Sequence, residues 1–343
     1  MSQKQENSSF LFKILPLVFV GLSVPLSTFF WIGNIALNKL GVFTNVYDED
    51  PTHITPFRWL ISFMLPLALM VVGYRRKGVN KSGALLGFVM AVILTIANLG
   101  FLICLAGFFF SSTYATKYKS KHKEKLEEDH KEGGQRNWLQ ALCNAGMATQ
   151  LALLYLLDCG SGERPIDFNE LYRCSWLQIA VMSAFACSNG DTWASELGTV
   201  MARGDPYLIT TRKRVPRGTN GGVSMPGLVV SFLGGQLIGV VFFLSICYFA
   251  DMNTISRDVP QWPLIFVGGI AGLFGSLVDS LLGATLQYSG IDQNGHIVER
   301  PGKGVRNIAG RRILDNHSVN LISSIITGIV MPSIAKHFWN FFT

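Results

Sequence analysis

Long runs of apolar residues alternate along the chain with short polar segments. A helix needs about 20 apolar residues to cross a bilayer, and several runs approach or exceed that length. The pattern predicts nine membrane-spanning helices, at Leu11–Leu37, Phe57–Tyr74, Gly83–Ala97, Asn98–Thr113, Trp138–Leu157, Trp176–Val200, Met225–Ala250, Pro263–Gln287 and Ser318–Phe342. We therefore expect an all-α, polytopic integral membrane protein, because lipid leaves backbone groups without partners unless helices or closed barrels pair them.

The segment from Gly83 to Thr113 is short for two full crossings, at about 30 residues. It fits either a pair of short helices or a re-entrant hairpin. The loops on both sides of it are basic, so an even number of crossings must separate them. This charge pattern favours the hairpin.

The charges of the loops predict the orientation of the chain. Four loops are basic and are expected in the cytoplasm, namely Arg75–Lys81, Lys117–Arg136, Arg203–Arg217 and Arg300–Arg312. Three loops carry at least as many acidic as basic residues and are expected on the opposite side, namely Asp48–Asp50, Asp158–Glu170 and Asp251–Asp258. The N-terminus is then cytoplasmic and the C-terminus is not.

Composition supports one membrane domain over residues 1–343, with a short cytoplasmic tail at 1–10 and a charged cytoplasmic loop at 113–137. Of the 343 residues, 49% are hydrophobic and 15% are charged. The formal charge of +7 mostly orients the chain, and acidic residues interrupt the basic loop, so no nucleic-acid patch is expected. No Arg-rich, Ser-rich leader is seen, and we expect an intracellular membrane such as the endoplasmic reticulum.

The six cysteines show no CxxC pair and no zinc spacing, and the six histidines form no ligand pattern. Cys159 and Cys174 share the predicted non-cytoplasmic loop and can pair if that compartment is oxidising. The segment GVNKSG lacks the Gly-Lys-Ser/Thr core of a P-loop, so a P-loop ATPase is unsupported.

Two predicted spans carry an aspartate near their cytoplasmic ends. Asp191 lies in SNGDTWASELGTV with Glu196, and Asp279 lies in GLFGSLVDSLLGATLQ, followed by Ser280. A charge at the centre of a membrane helix costs about 2.5–3.5 kcal/mol, and less near the interface. Each aspartate therefore needs a partner, which could be a divalent cation, a coupling ion, or a basic residue of the adjoining loops in a structural ion pair.

A basic, glycine-rich loop follows the first of these spans. It reads RKRVPRGTNGG and contains Arg212, Lys213, Arg214, Arg217, Gly218, Thr219, Asn220, Gly221 and Gly222. Glycines let backbone N–H groups curl around an anion, and basic side chains add attraction, so the loop suits a phosphate cradle. The competing interpretation is a flexible turn whose charges only orient the chain.

Polar residues also occupy one face of span five and the start of span nine. Arg136, Gln140 and Asn144 are spaced at i, i+4 and i+8, which places a donor-rich stripe on one helix face. Asn316 and Asn320 lie one turn apart. All these unusual polar groups fall on the cytoplasmic side, where carboxylates for Mg²⁺ and basic groups for phosphate favour phosphoryl transfer at a membrane.

The combination of NGDTWASELG, RGTNGGVS, DSLLGATLQ and GGxRxxxQxxxNxG resembles the transmembrane protein 19 family, whose plant relative is phytyl-phosphate kinase. The resemblance covers a core of about residues 82–325. The GDTxAS element is also similar to that of CTP-dependent phytol and dolichol kinases. The resemblance implies a nucleotide-dependent kinase that converts an isoprenyl or phytyl-type monophosphate to the diphosphate, with CTP as the favoured donor.

On this basis we assign roles to the candidate residues. Asp191 and Asp279 hold Mg²⁺, and Glu196 is a further ligand or orienting group. The basic, glycine-rich loop binds the nucleotide phosphates. The isoprenyl-phosphate substrate is assigned to a set comprising Arg136, Gln140, Asn144, Ser195, Ser280, Gln287, Asn316 and Asn320.

Two other classes of protein remain open from the residues alone. An ion-coupled transporter also uses intramembrane acids and small-residue helices, although its acids are expected at the midplane. A non-catalytic lipid-binding protein would not need Asp279.

Overall fold

The computed structural model describes residues 25, 28–33, 35–36, 54–118, 135–252, 259–293 and 295–341. Within the first predicted span, residues 25, 28–33 and 35–36 are helical, and the rest of Leu11–Leu37 lies outside the described residues. The acidic loop at residues 48–50 and most of the cytoplasmic loop 113–137 also lie outside them.

Eight long helices form the described part of the bundle. They are α1 (Pro56–Arg75), α2 (Lys81–Ala97), α3 (Leu99–Lys117), α4 (Trp138–Cys159), α5 (Tyr172–Trp193), α6 (Met225–Phe249), α7 (Pro263–Leu286) and α8 (Asn316–Trp339). Six of them are long and apolar enough to cross a membrane, and α2 is a shorter apolar helix. The polytopic helical bundle predicted from the apolar runs is confirmed, and a total of nine helices fits it.

Polar side chains cap the helices where the apolar runs begin. Asn80, Asn137, Ser224 and Asp315 each accept a hydrogen bond from a backbone N–H in the first turn of the helix that follows. Asn98 has an extended backbone, ends α2 and caps α3 through Gly100 N at 2.7 Å. The segment Gly83–Thr113 is therefore a helical hairpin that turns at one residue.

Helix α5 is the centre of the bundle. Every residue from Leu177 to Gly190 is buried. The predicted span Trp176–Val200 is not one regular helix, because a π-helical turn follows at Ala194–Gly198 and a last helical turn at Thr199–Met201. The π turn begins directly after the Asp191 segment.

The two ends of the bundle hold different chemistry, and we name them cytoplasmic and non-cytoplasmic after the orientation that the loop charges predict. At the non-cytoplasmic end, Cys159 and Cys174 form a disulfide with their Cα atoms 5.8 Å apart. Glu163 there pairs with Arg58 at 2.8 Å and accepts from Leu99 N at 2.7 Å. The candidate polar residues collect at the opposite end.

Short strands, which the all-α prediction did not include, lie at the cytoplasmic end. Strand β1 (Tyr207–Leu208) pairs antiparallel with β2 (Gly222–Val223). Strands β3 (Ser289–Ile291), β4 (Ile297–Val298) and β5 (Arg306–Ala309) form an antiparallel sheet in the order β4-β3-β5. These strands lie in the polar segments between the apolar runs, and the hydropathy pattern does not indicate strands in those segments.

Glycines bring α5, α6 and α7 into close contact. A Cβ added to Gly190 of α5 would lie 2.7 Å from the Cα of Gly272 in α7. A Cβ on Gly235 of α6 would lie equally close to that Cα. The two helices that carry Asp191 and Asp279 therefore pack directly, which the sequence alone could not decide.

Candidate active site

The two intramembrane carboxylates lie together at the cytoplasmic end of the bundle. Ser276, one turn before Asp279 on α7, donates to Asp191 Oδ1 at 3.3 Å. The carboxylates of Asp191 and Asp279 also interact electrostatically. Both side chains are partly exposed. Two acids on parallel, touching helices therefore form one acidic site, because glycines allow the backbones to approach.

Helix α8 completes the surroundings of Asp279. Ser323 Oγ donates to Asp279 Oδ2 at 3.2 Å. With its amide nitrogen oriented toward the carboxylate, Asn320 donates to the same oxygen at 3.2 Å and to the Asn316 carbonyl at 3.0 Å. Each of these contacts comes from a neutral donor, so none of them pairs Asp279 with a cationic side chain.

Asn144 connects α4 to this site. Its side-chain oxygen lies 3.4 Å from the terminal atom of Asn320 that does not face Asp279, and its carbonyl accepts from Ser188 Oγ at 2.8 Å. The predicted stripe on α4 is split by the structure. Gln140 accepts from the backbone N–H of Asn137 at 3.1 Å in a capping box, whereas Asn144 reaches the acidic site.

Arg136 lies just before α4 and is partly buried. Its guanidinium donates to Ser112 Oγ at 3.0 Å and Thr113 Oγ1 at 3.1 Å, and it lies over the Phe108 ring. Burial lowers the pKa of Arg136 to about 10, and the Glu196 carboxylate opposes this shift. The guanidinium remains charged at neutral pH and is a fixed cation at the cytoplasmic end of the bundle.

Glu196 and Ser195 belong to the π-helical turn Ala194–Gly198. Glu196 interacts electrostatically with Arg136, so its charge faces that cation. Ser195 is exposed and donates to the Thr192 carbonyl at 3.1 Å. π-helical turns are rare and occur frequently at functional sites.

The glycine-rich loop docks on the cytoplasmic end of α7. Asn220 donates through its backbone N–H to Ser289 Oγ at 3.0 Å. Gly221 has a φ of 79°, and a Cβ there would lie 2.6 Å from the Ser280 carbonyl oxygen. Gly218 also has a positive φ, of 87°. Because Ser280 follows Asp279 directly, the loop lies beside the acidic site.

The basic side chains of this loop differ in what they contact. Arg212, Lys213 and Arg214 are exposed. Arg214 lies over the Tyr207 ring, and its hydrogen bond to the Tyr207 hydroxyl raises the pKa of Arg214. Arg217 donates to the Ala202 carbonyl at 2.9 Å and thereby ties the loop to the end of the α5 segment.

Other predicted site residues lie around the rim. Thr219 is 5% exposed and donates to the Pro216 carbonyl within the loop, so its hydroxyl serves the turn. Gln287 is 3% exposed and donates to Glu299 at 3.3 Å. Asn316 is exposed at the start of α8, and Gly222 belongs to β2.

The donor set suits a hard cation. Among the described residues, no three His, Cys, Asp or Glu side chains cluster as a metal site. Asp191 and Asp279 supply two carboxylates, and the neighbouring donors are hydroxyl and amide groups. Mg²⁺ is usually held by one or two carboxylates together with waters and substrate phosphates, so these residues fit it.

Comparison with known proteins identifies the family. Residues 64–328 match the family described as Integral membrane protein DUF92. The chain belongs to this family. This match is consistent with the resemblance to the transmembrane protein 19 family. The protein is therefore an integral, multi-pass membrane protein.

Three relatives illustrate the reach of the DUF92 family. The chain is 36% identical to Protein PGR of Arabidopsis thaliana over 82% of its length and 96% of that protein. It is 25% identical to an uncharacterized membrane protein of Methanocaldococcus jannaschii over 82% of its length and 96% of that protein. It is 28% identical to Protein VTE6, chloroplastic, of Arabidopsis thaliana over 66% of its length and 61% of that protein. No solved structure matches the chain.

Ser276 and Ser323 were absent from the predicted site. Ser276 lies one turn from Asp279 on its helix, and Ser323 follows Asn316 and Asn320 at i+7 and i+3. This helical spacing was the available signal for both residues. Small hydroxyl residues are also common in ordinary helix contacts, and only the contacts of α7 and α8 distinguish the two cases.

Proposed function

We propose that this DUF92 protein is a membrane-embedded kinase that phosphorylates an isoprenyl or phytyl-type monophosphate to the diphosphate at its cytoplasmic face. The observation that carries the proposal is that Asp191 and Asp279 lie together beside the glycine-rich loop. Ser276, one helical turn from Asp279, donates a hydrogen bond to Asp191. Phosphoryl transfer needs charge stabilisation and positioning more than covalent chemistry. This arrangement supplies both.

The nucleotide is assigned to the side of the glycine-rich loop. Arg212 and Lys213 are exposed and can turn toward phosphates, Arg214 is exposed beside Tyr207, and Arg217 holds the loop. CTP is the favoured donor because of the resemblance to CTP-dependent kinases. Asp191 and Asp279 would hold Mg²⁺, which supplies neutralisation of negative charge on the phosphates when bound.

The acceptor is assigned to the side of α4. Arg136 is a fixed cation suited to a phosphate, and Asn144 lies between it and the Asp279 cluster. An oxygen of the acceptor monophosphate attacks the terminal phosphorus of the nucleotide. The bond to the bridging oxygen breaks, the nucleoside diphosphate leaves, and a new phosphoanhydride forms. No strong general base is required, because a phosphate monoester is mostly ionised near neutral pH.

The same proposal places the protein in an intracellular membrane such as the endoplasmic reticulum. The basic loops orient the site toward the cytoplasm. The disulfide between Cys159 and Cys174 lies at the opposite end of the bundle and is expected to persist in an oxidising lumen.

The test is transfer of labelled phosphate from CTP, ATP, GTP or UTP to isoprenyl monophosphates by purified protein in lipid discs with Mg²⁺. We expect labelled diphosphate, and a loss of about 100-fold or more in Asp191→Asn and Asp279→Asn. Glu170→Gln is the control, because Glu170 is an exposed carboxylate at the opposite end of the bundle. Its rate should stay near that of the unchanged protein.

The results that contradict the proposal are specific. Full activity in both aspartate variants would refute the site. No product from any nucleotide and acceptor pair, with the protein shown to be folded, would refute the kinase. Thermal stabilisation by Na⁺ instead of Mg²⁺ and nucleotide would favour an ion-coupled carrier.

A further inference from the structure

A groove with apolar walls runs between the helices on one side of the bundle. Residues of α1 and α2 form one wall, including Leu69, Met70 and Gly87, and residues of α3 and α4 form the other, including Phe109 and Ala141. It encloses about 70 Å³, and about 590 Å³ when the space open to its surroundings is counted. The groove is therefore narrow and open along its side.

One end of the groove is polar. Arg136, Gln140 and Asn144 line it together with the apolar residues. Asn144 also contacts Asn320, which reaches Asp279. Side-chain contacts through Asn144 and Asn320 therefore link the polar end of the groove to the acidic site. Arg136 is the only charged lining residue among the described residues.

We propose that this groove binds the isoprenoid tail of the acceptor, with the phosphate of the acceptor at Arg136. The inference rests on the proposed function and names the part of the molecule that selects the substrate. An apolar groove within the membrane-spanning helices suits a hydrocarbon chain, and a cation at its cytoplasmic end suits an anionic head group.

The occupant is a single chain with a phosphate head group and not a two-chain phospholipid. The enclosed volume is small, which suits the insertion of one chain between α1–α2 and α3–α4 better than the insertion of two. Gly87 lies one helical turn, about 5–6 Å, from Gly83, which packs against the Arg136 backbone. Gly87 therefore lines the groove close to its Arg136 end.

The direct test uses geranylgeranyl monophosphate with a photoreactive diazirine at the end of its tail. The full-length protein in lipid discs is irradiated without nucleotide or Mg²⁺, and the labelled peptides are mapped by mass spectrometry. We expect labelling in α1, α2 and α3 around the groove. Unlabelled geranylgeranyl monophosphate should compete, and dioleoyl phosphatidic acid should not.

Gly87→Leu is the blocking variant. A Cβ at Gly87 would meet no atom within 4 Å, and Gly87 lines the groove, so we expect a leucine side chain there to fill part of it. We expect groove labelling to fall about tenfold or more and KM for the isoprenyl monophosphate to rise similarly, with KM for the nucleotide unchanged. Gly87→Ala should give a smaller loss and serves as the variant that perturbs α2 least.

Leu85→Phe is the matched control. Leu85 lies on the same helix and is 66% exposed, so added bulk there points away from the groove. Its labelling should stay within about twofold of the unchanged protein.

The outcomes separate this inference from the proposed function. Labelling confined to other helices, equal competition by phosphatidic acid, or full labelling in Gly87→Leu would overturn the tail site even if phosphate transfer occurs. Groove labelling without transfer from any nucleotide would leave the tail site in place and refute the kinase. Absence of labelling in a folded protein would refute the groove.

Discussion

Replacement of Gly221 by alanine tests whether the glycine-rich loop is docked on α7. Gly221 has a φ of 79°, and a Cβ there would lie 2.6 Å from the Ser280 carbonyl oxygen and 2.7 Å from the Ala284 Cα. These neighbours belong to a helix backbone, which cannot move as a side chain end can. The substitution should therefore push the loop away from the helix next to Asp279.

The magnitude follows from two separate effects. A left-handed conformation disfavours a residue with a Cβ by about 1–2 kcal/mol. Insertion of a methyl group into a well-packed contact costs about 1–3 kcal/mol more. The sum is about 2–5 kcal/mol, and the lower value alone shifts the equilibrium between docked and released loop about 30-fold.

Hydrogen–deuterium exchange of the peptide from Tyr207 to Ser224 measures this shift. In the docked loop, the Asn220 backbone N–H donates to Ser289 Oγ at 3.0 Å, so protection of this amide reports docking. We expect exchange in this peptide to accelerate about 30-fold or more in Gly221→Ala and the rate of phosphate transfer to fall with it.

Gly204→Ala is the control for this experiment. Gly204 also lies at the cytoplasmic end, but a Cβ there meets no atom within 4 Å and its φ is not positive. Its exchange should be unchanged. Unaltered exchange in Gly221→Ala would refute the docking of the loop through this glycine, and with it the position of the phosphate cradle.

Two further predictions concern stability. The disulfide closes a loop over a sequence separation of 15, so Cys159→Ser should lower the free energy of unfolding by about 3 kcal/mol, as should reductant acting on the unchanged protein. If only one of the two treatments, the substitution or the reductant, shifted the unfolding midpoint, the stabilising role of the disulfide would be contradicted. Asp315 caps α8, and its hydrogen bonds with Ser318 lower the pKa of Asp315. Because the folded pKa is depressed, the stability from this carboxylate is present above its unfolded pKa and is lost as pH falls through the folded value. Asp315→Ala should therefore lower the free energy of unfolding by about 1 kcal/mol at neutral pH. In thermal unfolding, the difference in stability between the variant and the unchanged protein should narrow below about pH 4. A difference that stays constant with pH would refute the role of the Asp315 charge.

Local features of the chain were readable from the sequence because their causes are local. The spans follow from runs of apolar residues, since each transmembrane helix satisfies its own backbone hydrogen bonds. The helical hairpin follows from the basic loops on both sides of it, because two loops on the same side of the membrane must be separated by an even number of crossings. Asn137 and Asp315 lie where apolar runs begin. Their side chains cap α4 and α8, because each accepts a hydrogen bond from a backbone N–H of the first turn.

The π-helical turn and the small sheet were not readable in the same way. The turn at Ala194–Gly198 interrupts a span whose composition is compatible with regular helix. Strands β3 to β5 are two to four residues long and lie in a polar segment, too short for an alternating pattern to emerge.

The assembly of the candidate site was decided only by the tertiary structure. Asp191 and Asp279 are far apart in the chain, and they meet because Gly190 and Gly272 allow two helix backbones to touch. Asn144 and Asn320 come together for the same kind of reason, through contacts between helices that share no local sequence. The sequence by itself determined which segments are apolar enough to enter the membrane and which polar residues they carry, because hydropathy acts locally. The choice of helix neighbours depends on the fit of distant surfaces, so only the tertiary structure could place the two acids, the loop and the groove in one site.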